Sequence, residues 1–289
     1  MQETESKTGI LYLCATPIGN LQDITFRVLD TLRQVDLIAA EDTRNSIRLL
    51  NHFGIKTPMT SYHEYNKFEK AETLIGKLKE GQNIALITDA GTPAISDPGE
   101  VLVRRAREEG LTVTSLPGAC AAVTALTLSG LSSRRFVFEG FLPGEKKERR
   151  EVLKRLAEEE RTTILYEAPH HLKETLKELY EALGERRVVL CRELTKKLEE
   201  APGPLLSEAL EFYREKEPKG EYVLVLSGRD PRERRAEQAR QFEEMRLEEH
   251  MEIYLAQGLD RKEAMRKVAA DRGVSKREIY QRLLEDSPS

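Results

Sequence analysis

The residues of this chain best suited to chemistry lie between Ile84 and Gly99, in the segment IALITDAGTPAISDPG. An uncharged β-type run ends there in a loop rich in Asp, Gly, Pro and Ser, which includes Asp89 and Ser96. A strand that ends in such a loop, followed by a helical pattern, is how an open α/β sheet forms a ligand pocket. The loop is also longer than the usual connection of about two to six residues. We therefore predict a binding site here rather than an ordinary surface loop.

Three other strand-like runs end in loops of similar composition. The runs Ile10–Ala15, Leu37–Ala40 and Leu111–Leu116 are followed by the loops TPIGN, EDTR and PGACAA, and a helical pattern follows each loop. Strands and helices that alternate at short spacing favour a parallel sheet covered by helices on both faces. Because parallel strands end at the same edge of a sheet, the four loops should line one crevice. Small residues in these loops let the backbone approach a ligand closely.

The pattern restarts after the Ser-Ser-Arg-Arg break at residues 132–135. Four more strand-like runs, FVFEGF, TTILY, RVVLC and EYVLVLS, alternate with helical segments up to Ser227. Beyond them the β-type runs stop, and charged helix formers continue to the end of the chain. The predicted fold class is α/β, with two α/β domains at residues 9–131 and 132–229 and a helical tail at residues 230–289.

The tail has a charge pattern of its own. Residues 261–282 hold eight basic and three acidic side chains, and Gly273 and Ser275 are placed as the turn and the cap of a helix-turn-helix. Two interpretations stay open at this point, a contact with nucleic acid and a solvated helical appendage.

Composition narrows the class of protein. The chain has 289 residues and a net charge of -4, which argues against a protein that coats nucleic acid over its whole surface but allows local basic patches. Its three cysteines lie far apart without metal-ligand spacing, as expected for buried residues in a reducing compartment. The uncharged stretch from Leu111 to Ser133 is interrupted by Pro117, so neither part reaches the roughly twenty residues that span a bilayer. We expect a cytoplasmic protein with no membrane partner.

Several common motifs are absent from the sequence. It contains no GxGxxG, Walker, HExxH or GxSxG pattern. The residues that dinucleotide-binding proteins, P-loop proteins, zincins and α/β-hydrolases need for their function are therefore missing. His170 and His171 are adjacent, and adjacent residues of a helix do not face each other. We therefore predict no metal site.

Six segments in this order and spacing resemble one known family: ATPIGNLQDIT, EDTR, ITDAGTPAISDPG, LPGACAAVTAL, FVFEGFLP and YEAPHHL. The chain is similar, over about residues 9–228, to the ribosomal small subunit methyltransferase I family of the tetrapyrrole methylase superfamily. The resemblance implies two α/β domains that enclose a cofactor cleft, usually in a homodimer. It also implies methyl transfer from S-adenosylmethionine to the ribose 2'-hydroxyl of a cytidine in the decoding region of 16S ribosomal RNA, with that RNA or the small ribosomal subunit as partner.

The resemblance also implies a set of cofactor-binding residues. Two positions depart from the superfamily pattern, because its first GPG turn is TPIGN here and its GDP motif is a longer loop that begins with Asp89-Ala90-Gly91. S-Adenosylmethionine presents an adenine, a ribose diol and a sulfonium, and close backbone amides, small side chains and a carboxylate suit these groups. The alternative for Asp89 is that it only caps a turn. The implied residues are Pro17, Asp89, Ala90, Gly91, Ile95, Ser96, Cys120, Ala121, Tyr166, Glu167 and Ala168.

Methyl transfer to a hydroxyl is an in-line displacement, and a nearby base helps the hydroxyl proton to leave. Glu41 and Asp42 are our candidates for that base, with Asp23 and His63 also at the edge of the crevice. The alternative for the first two is an ion pair with Arg44.

RNA binding requires cations. The best candidates in the two domains are Arg44, Arg48, Lys146, Lys147, Arg149 and Arg150. The alternative for the basic helix is an exposed face that Glu145, Glu148 and Glu151 balance. Unpaired bases could stack on Tyr62, Tyr65 or Phe141.

Two other functions stay open at the level of sequence. One is a tetrapyrrole methyltransferase of the same superfamily, against which the EDTR and HEYN loops and the basic helix argue. The other is a nucleic-acid-binding regulator whose α/β body senses a ligand.

Overall fold

The computed structural model describes residues 8–232, 240, 242 and 244–285. Two compact units form: the α/β unit runs through Ala157 and resumes at Arg161–Ser227, and the helical unit combines Glu158–Glu160 with the residues from Gly228 onward. The predicted tail at residues 230–289 therefore falls partly outside the described residues. The domain boundaries at residues 131 and 229 stay predictions.

The first half of the α/β unit contains a five-stranded parallel sheet, in the order β3-β2-β4-β1-β5. Its strands are β1 (Ile10–Cys14), β2 (Leu37–Ala40), β3 (Met59–Ser61), β4 (Ile84–Ile87) and β5 (Thr112–Leu116). The central strand β4 is buried along its whole length, as expected for a strand covered by helices on both faces. Five parallel strands place the loops that follow them along one edge, where a ligand site is expected.

Helices cover both faces of this sheet. The helical segments of the first half are a 3-10 turn (Leu21–Asp23), α1 (Phe26–Gln34), α2 (Thr43–His52), α3 (Lys67–Lys79), α4 (Gly99–Glu108) and α5 (Ala121–Ser129). Helix α1 begins where the Thr25 hydroxyl accepts a hydrogen bond from the Val28 amide at 3.2 Å. One apolar cluster packs α3 and α4 on one face, and a second packs α1 and α2 on the other. The sheet is thus fixed by two separate cores.

The second half of the α/β unit is built on a mixed sheet of order β6-β7-β9-β8. Its strands are β6 (Phe136–Phe141), β7 (Thr162–Glu167), β8 (Val188–Arg192) and β9 (Tyr222–Leu226), and its helices are α6 (Lys146–Glu158), α7 (Leu172–Leu183) and α8 (Leu206–Glu215). Strands β6 and β7 pair in parallel, whereas β9 runs antiparallel to both of its neighbours. Because β9 is reversed, it begins at the edge where β7 and β8 end.

Helix α5 joins the two halves of the α/β unit. It follows β5 of the first sheet, yet Ala125 and Leu126 pack in one buried cluster with Ile164 and Val225 of the second sheet. The helix has no charged residue, and the small or apolar residues Ala122, Ala125 and Leu126 are its buried ones. This packing holds the edges of the two sheets in a fixed arrangement.

The helical unit contains α9 (Leu247–Ala256), α10 (Arg261–Asp271) and α11 (Lys276–Glu285). Met251, Val268 and Ile279, one from each helix, share its apolar core. Gly273 adopts a positive φ of 64° in the turn between α10 and α11, and the Ser275 hydroxyl accepts from the Glu278 amide at 3.2 Å. The predicted turn and cap are confirmed.

The predicted fold class, two α/β parts followed by helices, is confirmed. The sequence pattern missed one strand of the first sheet, Met59–Ser61, because three half-buried residues at a sheet edge make no apolar run. Across the residues described, no helix combines the length and apolarity needed to cross a membrane.

Candidate functional site

A cavity of about 680 Å³ opens at the carboxyl edge of the first sheet, within the α/β unit. Its volume lies in the range of about 300 to 1,000 Å³ typical of small-molecule sites. The first half supplies residues from the loops after β1, β2, β4 and β5, and the second half supplies residues next to β6, β7, β8 and β9. The four loops picked out from sequence therefore do meet at one site.

The loop after β4 connects these loops to one another. Thr16 and Gly91 exchange two backbone hydrogen bonds of 2.8 and 3.0 Å, which tie it to the loop after β1. The Thr92 hydroxyl donates to the Ala119 carbonyl at 2.9 Å and ties it to the loop after β5. A Cβ on Gly118 would lie 2.7 Å from the Ala15 Cβ, so only glycine allows this close approach. These contacts join three separate loops into the floor of the cavity.

Carboxylates lie between the loops after β2 and β4. The Glu41 carboxylate accepts a hydrogen bond of 2.6 Å from the Thr88 hydroxyl. One oxygen of Asp89 accepts from the Asp42 amide at 3.2 Å, and the other accepts from the Asn45 side chain at 3.4 Å. Burial, and then the charge of Glu41, raise the pKa of Asp89 above its ordinary value. Glu41 and Asp89 both line the cavity.

Asp42 has a different environment. It caps α2 by accepting from the Arg44 amide at 2.8 Å, and its carboxylate also binds the Arg44 guanidinium at 2.8 and 3.1 Å. The hydrogen bonds from Arg44 lower the pKa of Asp42 to about 2. Asp42 does not line the cavity. Its ion pair with Arg44 agrees with the alternative interpretation given for this residue from the sequence.

Asp97, which was not among the predicted site residues, holds the loop after β4 in shape. Its carboxylate accepts from the amides of Ala94, Ile95 and Gly99 at 3.0, 3.2 and 2.7 Å. Within this turn Ala94 and Ser96 adopt positive φ values of 67° and 61°, a region that non-glycine residues rarely occupy. Burial raises the pKa of Asp97 despite these three hydrogen bonds.

The opposite wall is formed by residues at the end of β7. The Tyr166 hydroxyl accepts from the Ala122 amide at 3.2 Å, and burial raises the pKa of Tyr166 to about 12. Glu167 is 6% exposed, and its carboxylate accepts from the Ala168 amide at 2.8 Å and from the Thr175 hydroxyl at 2.5 Å. These contacts fix the backbone that faces the cavity.

Most of the predicted cofactor residues meet at the cavity. Pro17 is absent from its wall, where the neighbouring Ile18 takes its place. The predicted residues that do line the cavity are Asp89, Ala90, Gly91, Ile95, Ser96, Cys120, Ala121, Tyr166, Glu167 and Ala168.

Sequence reasoning missed the contribution of β8 and β9. Glu193, Leu194, Lys196 and Gly220 to Val223 line the cavity. The segment RELTKK after β8 was a usable signal, because it is a polar cluster at a strand end like the others. The reversed direction of β9 had no signal in the sequence.

The predicted RNA-binding cations divide into two environments. Arg44, Arg48, Lys146, Lys147 and Arg150 are exposed. Arg149 has a side chain only 16% exposed, which donates to Glu178 at 2.5 Å and to the Thr175 hydroxyl at 2.7 Å. Because Thr175 in turn donates to Glu167, Arg149 supports the cavity wall from behind.

The predicted stacking residues also differ in exposure. Tyr65 is 97% exposed and Phe141 is 56% exposed, whereas Tyr62 is 1% exposed and donates to the Pro98 carbonyl at 3.0 Å. A base has no access to Tyr62, so that prediction is wrong.

Acidic side chains dominate the charge of the cavity. Among the residues that the structure describes, six carboxylic residues line it, against a single basic residue. In the described part of the chain no three His, Cys, Asp or Glu side chains are grouped to hold a metal ion. The acidic lining of the cavity suits a ligand with a positive charge.

Comparisons with known proteins agree with this architecture. Residues 10–209 match the family model of tetrapyrrole (corrin/porphyrin) methylases. Among solved structures, the fold is similar to the methyltransferase CobJ, with a TM-score of 0.60 at 15% identity over 77% of this chain and 95% of that chain. It is also similar to uroporphyrin-III-C-methyltransferase from Thermus thermophilus, with a TM-score of 0.54 at 18% identity over 76% and 94% of the two chains.

Curated relatives are much more similar in sequence. Ribosomal RNA small subunit methyltransferase I of Halalkalibacterium halodurans is 50% identical over 96% of both chains. The protein of that name from Escherichia coli O157:H7 is 47% identical over 98% of both chains, and that of Haemophilus influenzae is 56% identical over 77% of this chain and 80% of that protein. The chain therefore belongs to the ribosomal RNA small subunit methyltransferase I family, a group of methyltransferases with the tetrapyrrole methylase fold.

Proposed function

We propose that this enzyme transfers a methyl group from S-adenosylmethionine to the ribose 2'-hydroxyl of a cytidine in the decoding region of 16S ribosomal RNA. The observation that carries the proposal is the acid-rich cavity at the meeting point of four strand-end loops, in a chain 50% identical to a protein named for methylating the small-subunit RNA. The methyl acceptor and its position follow from the resemblance of the six sequence segments.

The residues of the cavity fit this cofactor. S-Adenosylmethionine supplies an electrophilic methyl group on a sulfonium, and carboxylates such as Asp89 offset that positive charge. The backbone around Gly91 and the small side chains of Cys120 and Ala121 leave room for a flat adenine. On the opposite side, the backbone of Tyr166 to Ala168 closes the site.

Of the two candidates for the general base, the side-chain contacts favour Glu41. It lines the cavity, and a hydrogen bond from Thr88 orients its carboxylate. Asp42 is held by Arg44 and has a lowered pKa, which makes it a weak base. We assign the removal of the ribose proton to Glu41 and the capping of α2 to Asp42.

The RNA surface in this proposal consists of the exposed cations at the start of α2 and α6: Arg44, Arg48, Lys146, Lys147 and Arg150. Arg149 is left out, because its guanidinium is bound to Glu178 and Thr175. Tyr65 and Phe141 remain available to stack on unpaired bases. We also propose that the enzyme acts in the cytoplasm as a homodimer. Sedimentation equilibrium would measure the mass of that dimer.

The test is methyl transfer from labelled S-adenosylmethionine to small ribosomal subunits from a strain that lacks this methyltransferase. A methyl group on a 2'-oxygen blocks alkaline cleavage of the next phosphodiester, so the label should appear in an alkali-resistant dinucleotide that contains cytidine. Parallel reactions use naked 16S RNA and a tetrapyrrole as acceptors. Label on a base, or on the tetrapyrrole alone, would overturn the proposal.

A further inference from the structure

The strained backbone of this protein is concentrated at the cavity. Within the described ranges, four non-glycine residues have a positive φ: Ala94, Ser96, Glu193 and Thr195. The first two belong to the loop after β4, and the other two belong to the loop at residues 193–200, after β8. Thr195 is β-branched and has a φ of 65°, which is unfavourable for such a side chain. Strain of this kind persists where the surroundings enforce it, and it concentrates at functional sites.

Internal contacts enforce the shape of the 193–200 loop. Arg192 and Glu200 form a two-pronged ion pair of 2.7 and 2.8 Å, together with two backbone hydrogen bonds of 2.9 and 3.1 Å. The Thr195 amide donates to the Glu199 carboxylate at 2.7 Å. Glu199 and Glu200 thus have partners within or beside the loop, and both of its lysines are exposed.

Lys196 lies at the rim of the cavity, and its side chain crosses from the second half of the α/β unit to the first. A Cβ on Gly19, in the loop after β1, would lie 2.9 Å from the Lys196 Cγ and 3.0 Å from its Cε. The ammonium group is 3.1 Å from a Glu193 carboxylate oxygen, and the side chain remains 45% exposed. Of the cavity-lining residues that the structure describes, Lys196 is the only Lys or Arg.

The surface next to Lys196 continues away from the cavity. Lys197 is exposed, and the part of the chain that the structure describes gives it no ionic partner. Leu198 is 73% exposed beside it. A cation at the rim of an acidic cavity, followed by a second exposed cation, suits a long anion that passes over the opening better than a small ligand enclosed inside it.

The ribose proposed as methyl acceptor has a phosphate on each side, and both would meet the carboxylates of the cavity. We infer that Lys196 and Lys197 bind the RNA phosphate backbone next to the nucleotide that enters the cavity, with Lys196 leaving Glu193 for the phosphate. This inference rests on the proposed function. It adds the 193–200 loop to the RNA surface and gives its strained backbone a role, which is to hold Lys196 at the rim.

The test compares Lys196→Gln and Lys197→Gln with a matched control, Lys173→Gln. Lys173 pairs with Glu217 at 2.7 Å and is 38% exposed, but it does not line the cavity. Binding of fluorescent small ribosomal subunits is measured from low to high salt, and S-adenosylmethionine binding is measured by calorimetry. Lys196→Gln should weaken subunit binding about tenfold and lower the slope of log K against log salt by about 0.7 to 0.9, the loss of one phosphate contact.

Lys197→Gln should weaken subunit binding less, Lys196→Arg should retain most of it, and Lys173→Gln should change nothing. Cofactor affinity should stay within twofold of the parent for Lys197→Gln and Lys173→Gln. Lys196→Gln should not lower it, because the loss of a cation from an acid-rich cavity does not weaken the binding of a cationic cofactor. Subunit binding by Lys196→Gln equal to the parent, or a loss of cofactor affinity with subunit binding intact, would overturn the inference. If the parent binds subunits through Lys196 but transfers no methyl group to ribose, the proposed function fails and the phosphate site stands.

Discussion

Two loops with left-handed non-glycine residues face the same cavity, and different interactions hold them. The loop after β4 has no Lys or Arg, and Asp97 fixes its turn by accepting three backbone hydrogen bonds. The 193–200 loop is held by ion pairs of charged side chains, such as Glu200 with Arg192 at the end of β8. The first uses a half-buried carboxylate, and the second uses pairs at the surface.

This difference suits two kinds of ligand. Hydrogen bonds from backbone amides to a carboxylate sheltered from water respond little to salt, so the floor of the cavity should keep its shape as the salt concentration changes. Surface ion pairs are weak and are screened by salt, so the rim can exchange its internal partners for a phosphate. The floor is thus suited to a small cofactor and the rim to a polyanion.

The largest effect is expected for Asp97→Ala. It leaves three amides without an acceptor in a turn that already contains two strained residues. We expect the free energy of unfolding, measured in urea, to fall by about 2 to 3 kcal/mol and cofactor affinity to fall more than tenfold. Asp30→Ala is the control, because Asp30 is 65% exposed and its ionic partner among the described residues is the neighbouring Arg33. An equal loss of stability in both variants would mean that the floor is not held by Asp97.

The next largest effect is expected when Asp89 is replaced, and cofactor binding and the free energy of unfolding should respond differently. Burial and Glu41 raise the pKa of Asp89, so its charge is disfavoured in the folded protein. Asp89→Asn should weaken cofactor binding about tenfold, which is about 1.4 kcal/mol, without lowering the free energy of unfolding at pH 7.

The same carboxylate predicts a pH dependence of cofactor affinity. Because the folded pKa of Asp89 lies above that of an ordinary aspartate, affinity should fall as pH falls through this raised value. Calorimetric titrations of the parent and Asp89→Asn over the acidic range would measure it. A decline of the same size in both would assign the pH dependence to another group.

A smaller effect is expected from the strained backbone of the rim. Thr195→Gly relieves the backbone strain of a φ of 65°. The greater freedom of glycine in the unfolded chain lowers stability by about 0.4 to 1 kcal/mol at the same time. The net change in the free energy of unfolding should be within about 1 kcal/mol and stabilising. Gly91→Ala, at a φ of 86° and with 3.3 Å between the new Cβ and Ile18, should destabilise by about 1 to 2 kcal/mol. A clear loss of stability in Thr195→Gly would show that this position is not strained.

The smallest effect is expected for Glu200→Gln. It removes one partner of the Arg192 pair, in which Glu200 is 46% exposed, and exposed pairs contribute at most about 1 kcal/mol. The loss of stability should shrink further in high salt, whereas the effect of Asp97→Ala should not change. Urea unfolding of both variants at two salt concentrations makes the comparison. A Glu200→Gln effect that is large and independent of salt would remove the contrast between floor and rim.

Sequence reasoning worked best where local rules apply. The loops after β1, β2, β4 and β5 were found because a strand that ends in a polar or small-residue loop has a recognisable pattern, and parallel strands bring such loops together. It worked less well for Asp97, since a carboxylate that turns back onto the amides of Ala94 and Gly99 looks like any other turn residue. Glu41 and Asp42 could not be told apart as candidate bases from the sequence, and only their contacts in the folded protein separate them.

The sequence by itself determined the class of fold, the four loops of the first sheet and the family to which the chain belongs. Tertiary structure decided the other wall of the cavity. Helix α5 packs on the second sheet and β9 runs antiparallel to its neighbours, which brings Lys196 and Gly220 close to loops that are distant from them in sequence. Neither packing nor strand direction is encoded in a local pattern, because each depends on contacts between segments that are distant along the chain. For the same reason, the positive φ of Thr195 is visible only in the folded protein, where surrounding contacts enforce it.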